Sequence, residues 1–558
     1  MDAKNPAKLT KPSWLPTRRS KLLWIIVGSI VVLAIALGVG LGVGLKGHHN
    51  HNPPRNATAF CSNAAGSYKV DNITAPLRLN AANNSTANAG SSSTTYTNKT
   101  MWHLSVDDTA SGYKQIIAGF GATVTDATVS SLSSQTNETQ KAILQKLVTG
   151  DGANFSLMRH TIGSSDLSSN AYTYDDNNGT VDDDLSSFSL GEQGTAMAQL
   201  LARMKQLNSD ITILGSPWSP PGWMKLNGQL VGNTTNNNLN DGYSTSHGLG
   251  STGHTHAFAQ YFVKYIQAYA DLGVNIDAIT IQNEPLNSQA GYPTMYVAAN
   301  ESAKLINGYV GPALQKANLR TTVWALDDNT GILPFSSISR KYTNEKDDAD
   351  YAYTVMDYAE DYIDAVAWHC YASTLNWTVL TEFHNKYPNI SQYMTECWTP
   401  TNLSWTHVVN FTMGPLQNWA NGVTAWTLGT NDNAGPHLES GGCSSCDGIV
   451  SVNTTVSADR SSNSNDGTDY TFNLSYYIMS QFSKFIPPGA RILQTDGSAV
   501  DGNGDGIQAI ASLNPDGSRT VVIENTFEND VNVTVYLESG GAWAGNVPNS
   551  SVTTWVLP

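Results

Sequence analysis

Positive charge is scarce in this chain: 30 Lys and Arg stand against 46 Asp and Glu in 558 residues, a formal net charge of −16. So few cations cannot neutralise a phosphate backbone, which sets nucleic acid aside as a partner. Cysteine is scarce too. Five cysteines are too few for a scaffold built on disulfides, and an odd count leaves at least one unpaired unless it bonds between chains. Cys443-Ser-Ser-Cys446 lacks the second C-x-x-C pair of a zinc ribbon, so it reads as a loop disulfide or two loop thiols. No G-x-G-x-x-G and no P-loop follows any strand-like run, which removes the usual phosphate-binding turns. Asp501-Gly-Asn-Gly-Asp505-Gly506 opens like a calcium loop, but its twelfth position is Ser512 rather than Glu, and it reads as a turn.

One long apolar run is present. Residues 22–45 contain no charge, enough to cross roughly 30 Å of hydrocarbon as a helix. Lys4, Lys8, Lys11, Arg18, Arg19 and Lys21 precede it and only Lys46 and Arg55 follow closely. The positive-inside rule therefore puts 1–21 in the cytoplasm as a basic tail and the body outside, a single-pass type II arrangement at the cell surface or in a lumen. A cleaved signal peptide is the competing reading, but its apolar region runs only about 7–15 residues. The 18 Asn-x-Ser/Thr sequons beyond the run, Asn98, Asn137, Asn376, Asn410, Asn473 and Asn532 among them, suit an exocytoplasmic glycoprotein. Residues 46–98, rich in His, Asn, Ser and Thr, read as a flexible stalk, their histidine run as polar spacer rather than a metal site.

Beyond the stalk and a short segment at 99–111, from 112 to 482 short apolar runs alternate with helical patterns. Strands are expected at 116–124, 155–162, 211–218, 276–284, 321–328, 363–371, 392–398 and 422–429. Between them, Met197, Leu200, Leu201, Met204 and Leu207 form one helical stripe and Phe258, Tyr261, Phe262, Tyr265 and Tyr269 another. Eight strand–helix units predict a closed (β/α)8 TIM barrel of the α/β class, with its active site where the strands end. A doubly wound open sheet would show the same alternation. From 483 to 558 the pattern becomes alternation without helices, with a hairpin at Pro515-Asp516-Gly517, the mark of an appended antiparallel β-sandwich.

Glycosidic hydrolysis requires one carboxylic acid to protonate the leaving oxygen and a second carboxylate at the anomeric carbon. Asn283-Glu284-Pro285 ends the fourth expected strand and Thr395-Glu396-Cys397 the seventh, so both side chains can converge over one barrel mouth. Asn283, beside the first, is placed to hydrogen-bond a sugar 2-hydroxyl. Such a reaction asks for neither metal nor organic cofactor.

Several ordered motifs carry a family resemblance: GFGATVTDA (119–127), MRHTIGSSD (158–166), YTYDD (172–176), GSPWSPPGWMKLNG (215–228), TIQNEP (280–285), LDD (326–328), WHCY (368–371), TECW (395–398), GVTAWTLGTN (422–431) and SKFIPPGARI (483–492). From about residue 112 onward the chain resembles glycoside hydrolase family 30, which contains lysosomal-type glucosylceramidases and fungal endo-β-1,6-glucanases. The resemblance implies that Glu284 is the acid/base, Glu396 the nucleophile, and that Asp126, Trp218, Tyr371 and Trp426 contact sugar. It also implies that Arg159 keeps the nucleophile ionised, that His369 supports it, and that the chain preceding the barrel, 99–111, supplies a strand to the β-domain. Val423 and Ala425 replace a Trp and an Asp of the lysosomal pattern, and 431–447 is a different loop, which weighs against ceramide specificity. The expected substrate is β-1,6-glucan, with glucosylceramide second and an inactive carbohydrate-binding wall protein as a reading of another class. The two carboxyl groups of a retaining enzyme stand roughly 5–5.5 Å apart.

Overall fold

The computed structural model describes residues 56–79, 101–233, 236–240, 253–330, 350–372, 375–399, 404–454, 469–502 and 504–558. Eight parallel strands close into a barrel: β1 (Gly119–Val124), β2 (Leu157–Ile162), β3 (Thr212–Pro217), β4 (Ala278–Thr280), β5 (Thr322–Asn329), β6 (Ile363–His369), β7 (Ser391–Glu396) and β8 (Gly422–Ala425). Six fall within one of the eight runs read from the sequence, and β5 and β7 overrun theirs by one residue, at Asn329 and Ser391. Closure excludes the open sheet, because β8 pairs with β1 through Gly422↔Gly119 to Ala425↔Ala122 and β4 pairs with β5. Gly422 of β8 serves that closure, since a Cβ there would lie 2.6 Å from the Gly119 carbonyl oxygen, and the glycines of β1 serve the packing against β2. A Cβ on Gly121 would lie 1.9 Å from the Leu157 carbonyl oxygen, so no larger residue fits there.

Alternation along the strands sorts the interior into layers. At the end where strands begin, Leu157, Leu214, Ala278, Trp324, Ala365 and Ala367 form a dry plug, with Tyr393 stacked on Trp324 at 3.9 Å. Two residues further along the same strands come Arg159, Ser216, Thr280, His369 and Thr395, all buried. A polar floor thus lies directly above an apolar one. Outside the barrel, the stripe of the helix Gly191–Leu207 buries Met197, Leu200, Leu201 and Met204, and that of Thr255–Asp271 buries all five of its aromatics.

The β-domain is one connected ladder whose two halves share a core of Trp102, Leu104, Val106, Val521, Val533, Trp555 and their neighbours. Chain preceding the barrel supplies strands to it. Met101–Asp107 runs parallel to Val531–Leu537, and Tyr113–Ile116 pairs with Arg491–Asp496.

The extent of the expected stalk is corrected here. Thr58–Asn63 is a strand pairing with Lys69–Ile73 on one side and with Ser551–Leu557 on the other. Its Ala59 and Cys61 are wholly buried, so 56–79 belongs to the folded body despite its Asn- and Thr-rich composition. The expected tail, the 22–45 span and the histidine run lie outside the described residues. Among the described residues no helix is long and apolar enough to cross a membrane.

One buried carboxyl in this domain makes a prediction. Glu524 is 3% exposed, and burial pushes its pKa up to about 7, against the Gln508 amide that donates to it at 3.1 Å. A carboxyl raised on folding favours the native state below its unfolded pKa, and that contribution is lost as pH rises through about 7. Glu524→Gln is therefore expected to stabilise the protein at pH 8, by up to about 3 kcal/mol, and to change little at pH 4. Thermal melts at the two pH values check this; an equal shift at both would contradict it.

Candidate active site

Glu396 is the last residue of β7. Arg159, from β2, donates Nη1 to its Oε2 at 2.6 Å, and the Tyr371 hydroxyl donates to its Oε1 at 3.0 Å. Glu284 lies four residues past the end of β4, where the chain has left the ladder. Its backbone sits at φ 45°, a left-handed conformation that costs a non-glycine residue energy and persists only where neighbours enforce it. The enforcement is visible: Glu284 N donates to the Asp327 carbonyl at 2.9 Å, and Asn283 N to the Pro217 carbonyl at 2.8 Å. The Glu284 carboxylate accepts from Asn287 Nδ2 at 2.8 Å, and its other oxygen lies 3.2 Å from His369 Nδ1.

The two glutamates meet. One carboxylate oxygen from each and a nitrogen of His369 all lie within 4.8 Å of one another. The side chains retain 11% and 7% exposure, so both face an opening, although a narrow one.

Beneath them sits an acid to which the sequence reading assigned no role. Asp327 accepts from Ser216, Thr280, Thr395, Arg159 and His369, at 2.6 to 3.0 Å. Burial opposes its ionisation, but Arg159 and then His369 hold its carboxyl well below the usual carboxylate range. It is a fixed anion. Arg159 in turn spans Asp327, Glu396 and the Asn283 side-chain oxygen, which it reaches at 2.6 Å, turning the Asn283 amide NH2 away from itself.

His369 would be neutral from burial alone, yet Glu396, Asp327 and Glu284 surround it and push its pKa up to about 10. Burial raises the Glu396 pKa above the usual carboxylate value, with Glu284 and Asp327 adding to it and His369 and Arg159 holding the rise in check. For Glu284, burial is outweighed by the contact with His369. The pair Glu284–His369 thus holds one proton across a short contact, while Glu396 meets a permanent cation.

Two further carboxyls border the pair. Burial, then Glu396 and Glu284, push Asp166 up to about 8, so at neutral pH it is mostly a protonated acid able to donate a hydrogen bond. Burial and Glu284 push Asp328 up to about 7, and it accepts the Leu286 amide at 3.1 Å, bracing the turn after Glu284. Asp166 was inside a motif already noted, MRHTIGSSD, but a loop acid carries no periodicity that would single it out.

Trp218 and Trp426 lie 5.2 Å apart at 32°, in one cluster with Ala127, Leu167 and Cys446 against which Tyr292 and Trp398 pack. The Arg159 guanidinium lies 4.9 Å from the Trp218 ring centre. Asp126 is the chain neighbour of Ala127 in this cluster. It begins the helix Asp126–Ser133, and its carboxylate is engaged by Ser168 at 2.5 Å and Tyr172 at 3.0 Å, which tethers the loop bearing Asp166.

Cys370 and Cys397 form a disulfide linking the residues next to His369 and Glu396, and Cys443 and Cys446 form a loop disulfide; Cys61 is free and buried. Glu284, His369 and Glu396 have the spacing of metal ligands, but Arg159 and Asp327 already satisfy their charges.

Residues 117–486 match the glycosyl hydrolase family 30 TIM-barrel domain, and residues 489–555 its β-sandwich domain. The chain belongs to glycosyl hydrolase family 30. An endo-1,6-β-D-glucanase of Aspergillus fumigatus is 57% identical over 503 residues, covering 90% of this chain and 94% of its own. The lysosomal acid glucosylceramidase of the mouse is 27% identical, covering 79% and 81%. Among solved structures, an endo-β1,6-glucanase superposes with a TM-score of 0.72 at 25% identity, covering 90% of this chain and 99% of that one. The family-30 barrel thus spans β1 to β8 and carries both glutamates.

Proposed function

We propose that this family-30 chain is a retaining endo-β-1,6-glucanase. The observation that carries the mechanism is the approach of Glu284 and Glu396 to within 4.8 Å. That suits a direct attack, whereas inversion needs about 6.5–9.5 Å to admit a water between the carboxyls. Glu396, ionised against Arg159, attacks the anomeric carbon and forms a glycosyl ester. The proton of the Glu284–His369 pair passes through Glu284 to the leaving oxygen. Glu284 then removes a proton from the incoming water, which cleaves the ester and regenerates Glu396, so the pair regains what it gave. Asn283, Asp166, Trp218, Tyr371 and Trp426 surround the bound sugar, with Asp166 as a hydrogen-bond donor.

The β-1,6 linkage rests on the high identity to the Aspergillus endo-1,6-β-D-glucanase. A body held outside a membrane by 22–45, and carrying glycans, suits contact with a wall polysaccharide; both belong to this proposal. Incubation with β-1,6-glucan and, separately, with glucosylceramide tests it. Oligosaccharides of mixed length, with the β-anomer first at new reducing ends, are expected from the glucan. Faster release of ceramide, or the α-anomer first, would replace this reading.

A further inference from the structure

A second cavity opens at the other end of the barrel. It occupies about 540 Å3, within the range of small-ligand sites, at the junction of the barrel and the β-domain. Lys146, on its wall, belongs to the helix Asn137–Val148 that precedes β2, so the cavity lies where strands begin and the catalytic carboxyls where they end. The two sites face apart.

Its lining combines two chemistries. Tyr470, Phe472, Tyr476 and Tyr477 form a wall of rings: Phe472 stacks on Tyr476 at 4.1 Å, and Tyr477 stands edge-on to Tyr476 at 5.1 Å. Lys69, Lys146 and Lys484 line it too, with one carboxylate in the lining, Asp151, whose backbone carbonyl accepts from Lys146 Nζ at 3.3 Å, and Asp71 acting on Tyr477 from beside Lys69. In a chain of net charge −16, three ammonium groups converging on one hollow run against the overall balance. Lys69 Nζ lies 5.4 Å from the Tyr477 ring centre, so cation and aromatic face meet at one point. Burial lowers the Lys484 pKa and repulsion from Lys146 lowers it further, with Asp151 offsetting only part of this, so a further anion would be welcome beside the two ammonium groups. Val70, also in the lining, is held at φ 62°, a costly conformation for a β-branched residue.

We propose that this cavity is a non-catalytic binding site for an anionic sugar, a glycosyl unit bearing a phosphate ester or a uronate. The ring face takes the C–H side of the pyranose and Lys146 and Lys484 take the anion. The proposal does not depend on which linkage the active site cuts. A glycan bearing the anion, held here, would leave the opposite mouth free for hydrolysis.

Titration calorimetry on the whole protein tests it, with glucose 6-phosphate, glucuronic acid, inorganic phosphate and methyl β-glucoside as probes. At least one charged sugar is expected to bind saturably, about tenfold or more tighter than either phosphate or the neutral glucoside alone. The tighter of the two names the anion. Lys146→Gln/Lys484→Gln and Tyr477→Ala are each expected to weaken that binding about tenfold or more while glucan hydrolysis stays within about twofold. If the double variant fails to fold, the exposed Lys146→Glu alone carries the test. Absence of saturable binding by both charged sugars overturns the proposal, as does unchanged binding in the variants. Phosphate binding as tightly as the sugar phosphate would overturn the sugar half.

Discussion

Glu396→Gln is expected to lower glucan hydrolysis by about four orders of magnitude or more, because the amide cannot form the glycosyl ester. The fold should survive, since Gln can turn its oxygen to Arg159 and its NH2 to the Tyr371 hydroxyl, which can accept as well as donate, so melting temperature serves as the control. Glu284→Gln removes the proton donor, an effect of about 10²–10⁴ on kcat with glucan, whose leaving group needs protonation. An aryl β-glucoside with an acidic phenol leaves without that help. With it, Glu284→Gln should form the glycosyl ester and then stall, and azide should restore turnover by giving the β-glucosyl azide. An α-azide, or a Glu396→Gln enzyme retaining a tenth of the parental rate, would invalidate the assignment of roles.

Asp327→Asn is expected to destabilise the protein by about 3–5 kcal/mol, because it leaves Arg159 a buried cation with one anionic partner fewer. The amide can accept from some of the five donors now pointing at Asp327 but also brings an NH2 among them. A stability loss alone would not separate this acid from any other buried one. The pH profile does. Asp327 is among the groups that raise His369 to about 10, so its neutralisation must lower that value. The Glu284–His369 pair then loses its proton at lower pH, and the alkaline limb of kcat/KM moves down. A variant as stable as the parent with an unmoved alkaline limb would show that Asp327 is not the anchor of the site.

The barrel was legible because its strands announce themselves twice, by apolar runs and by the glycines that let β1 and β8 approach. The meeting of Glu284 and Glu396 was legible by position, since a glutamate near the exit of β4 and another ending β7 have one place to meet. Asp327 was not, although LDD stood out as a motif. Period-two alternation cannot foresee that β5 bulges between Leu326 and Asp328, with Leu326 and Asp327 at φ 70° and 63°. That bulge, and not the pattern, places Asp327 beneath the site. The Cys370–Cys397 bond joins residues 27 apart, a pairing that sequence separation does not dictate. The strand Thr58–Asn63 was read as spacer because its partners, above all Ser551–Leu557, lie almost the whole chain away.

That last pairing has a temporal consequence. Thr58–Asn63 leaves the ribosome ahead of the whole barrel and Ser551–Leu557 only after it, yet they are neighbours. All eight staves of the cylinder emerge before the sheet beside it can be completed, so the early strand must wait, unpaired on that edge, until residue 557 is free.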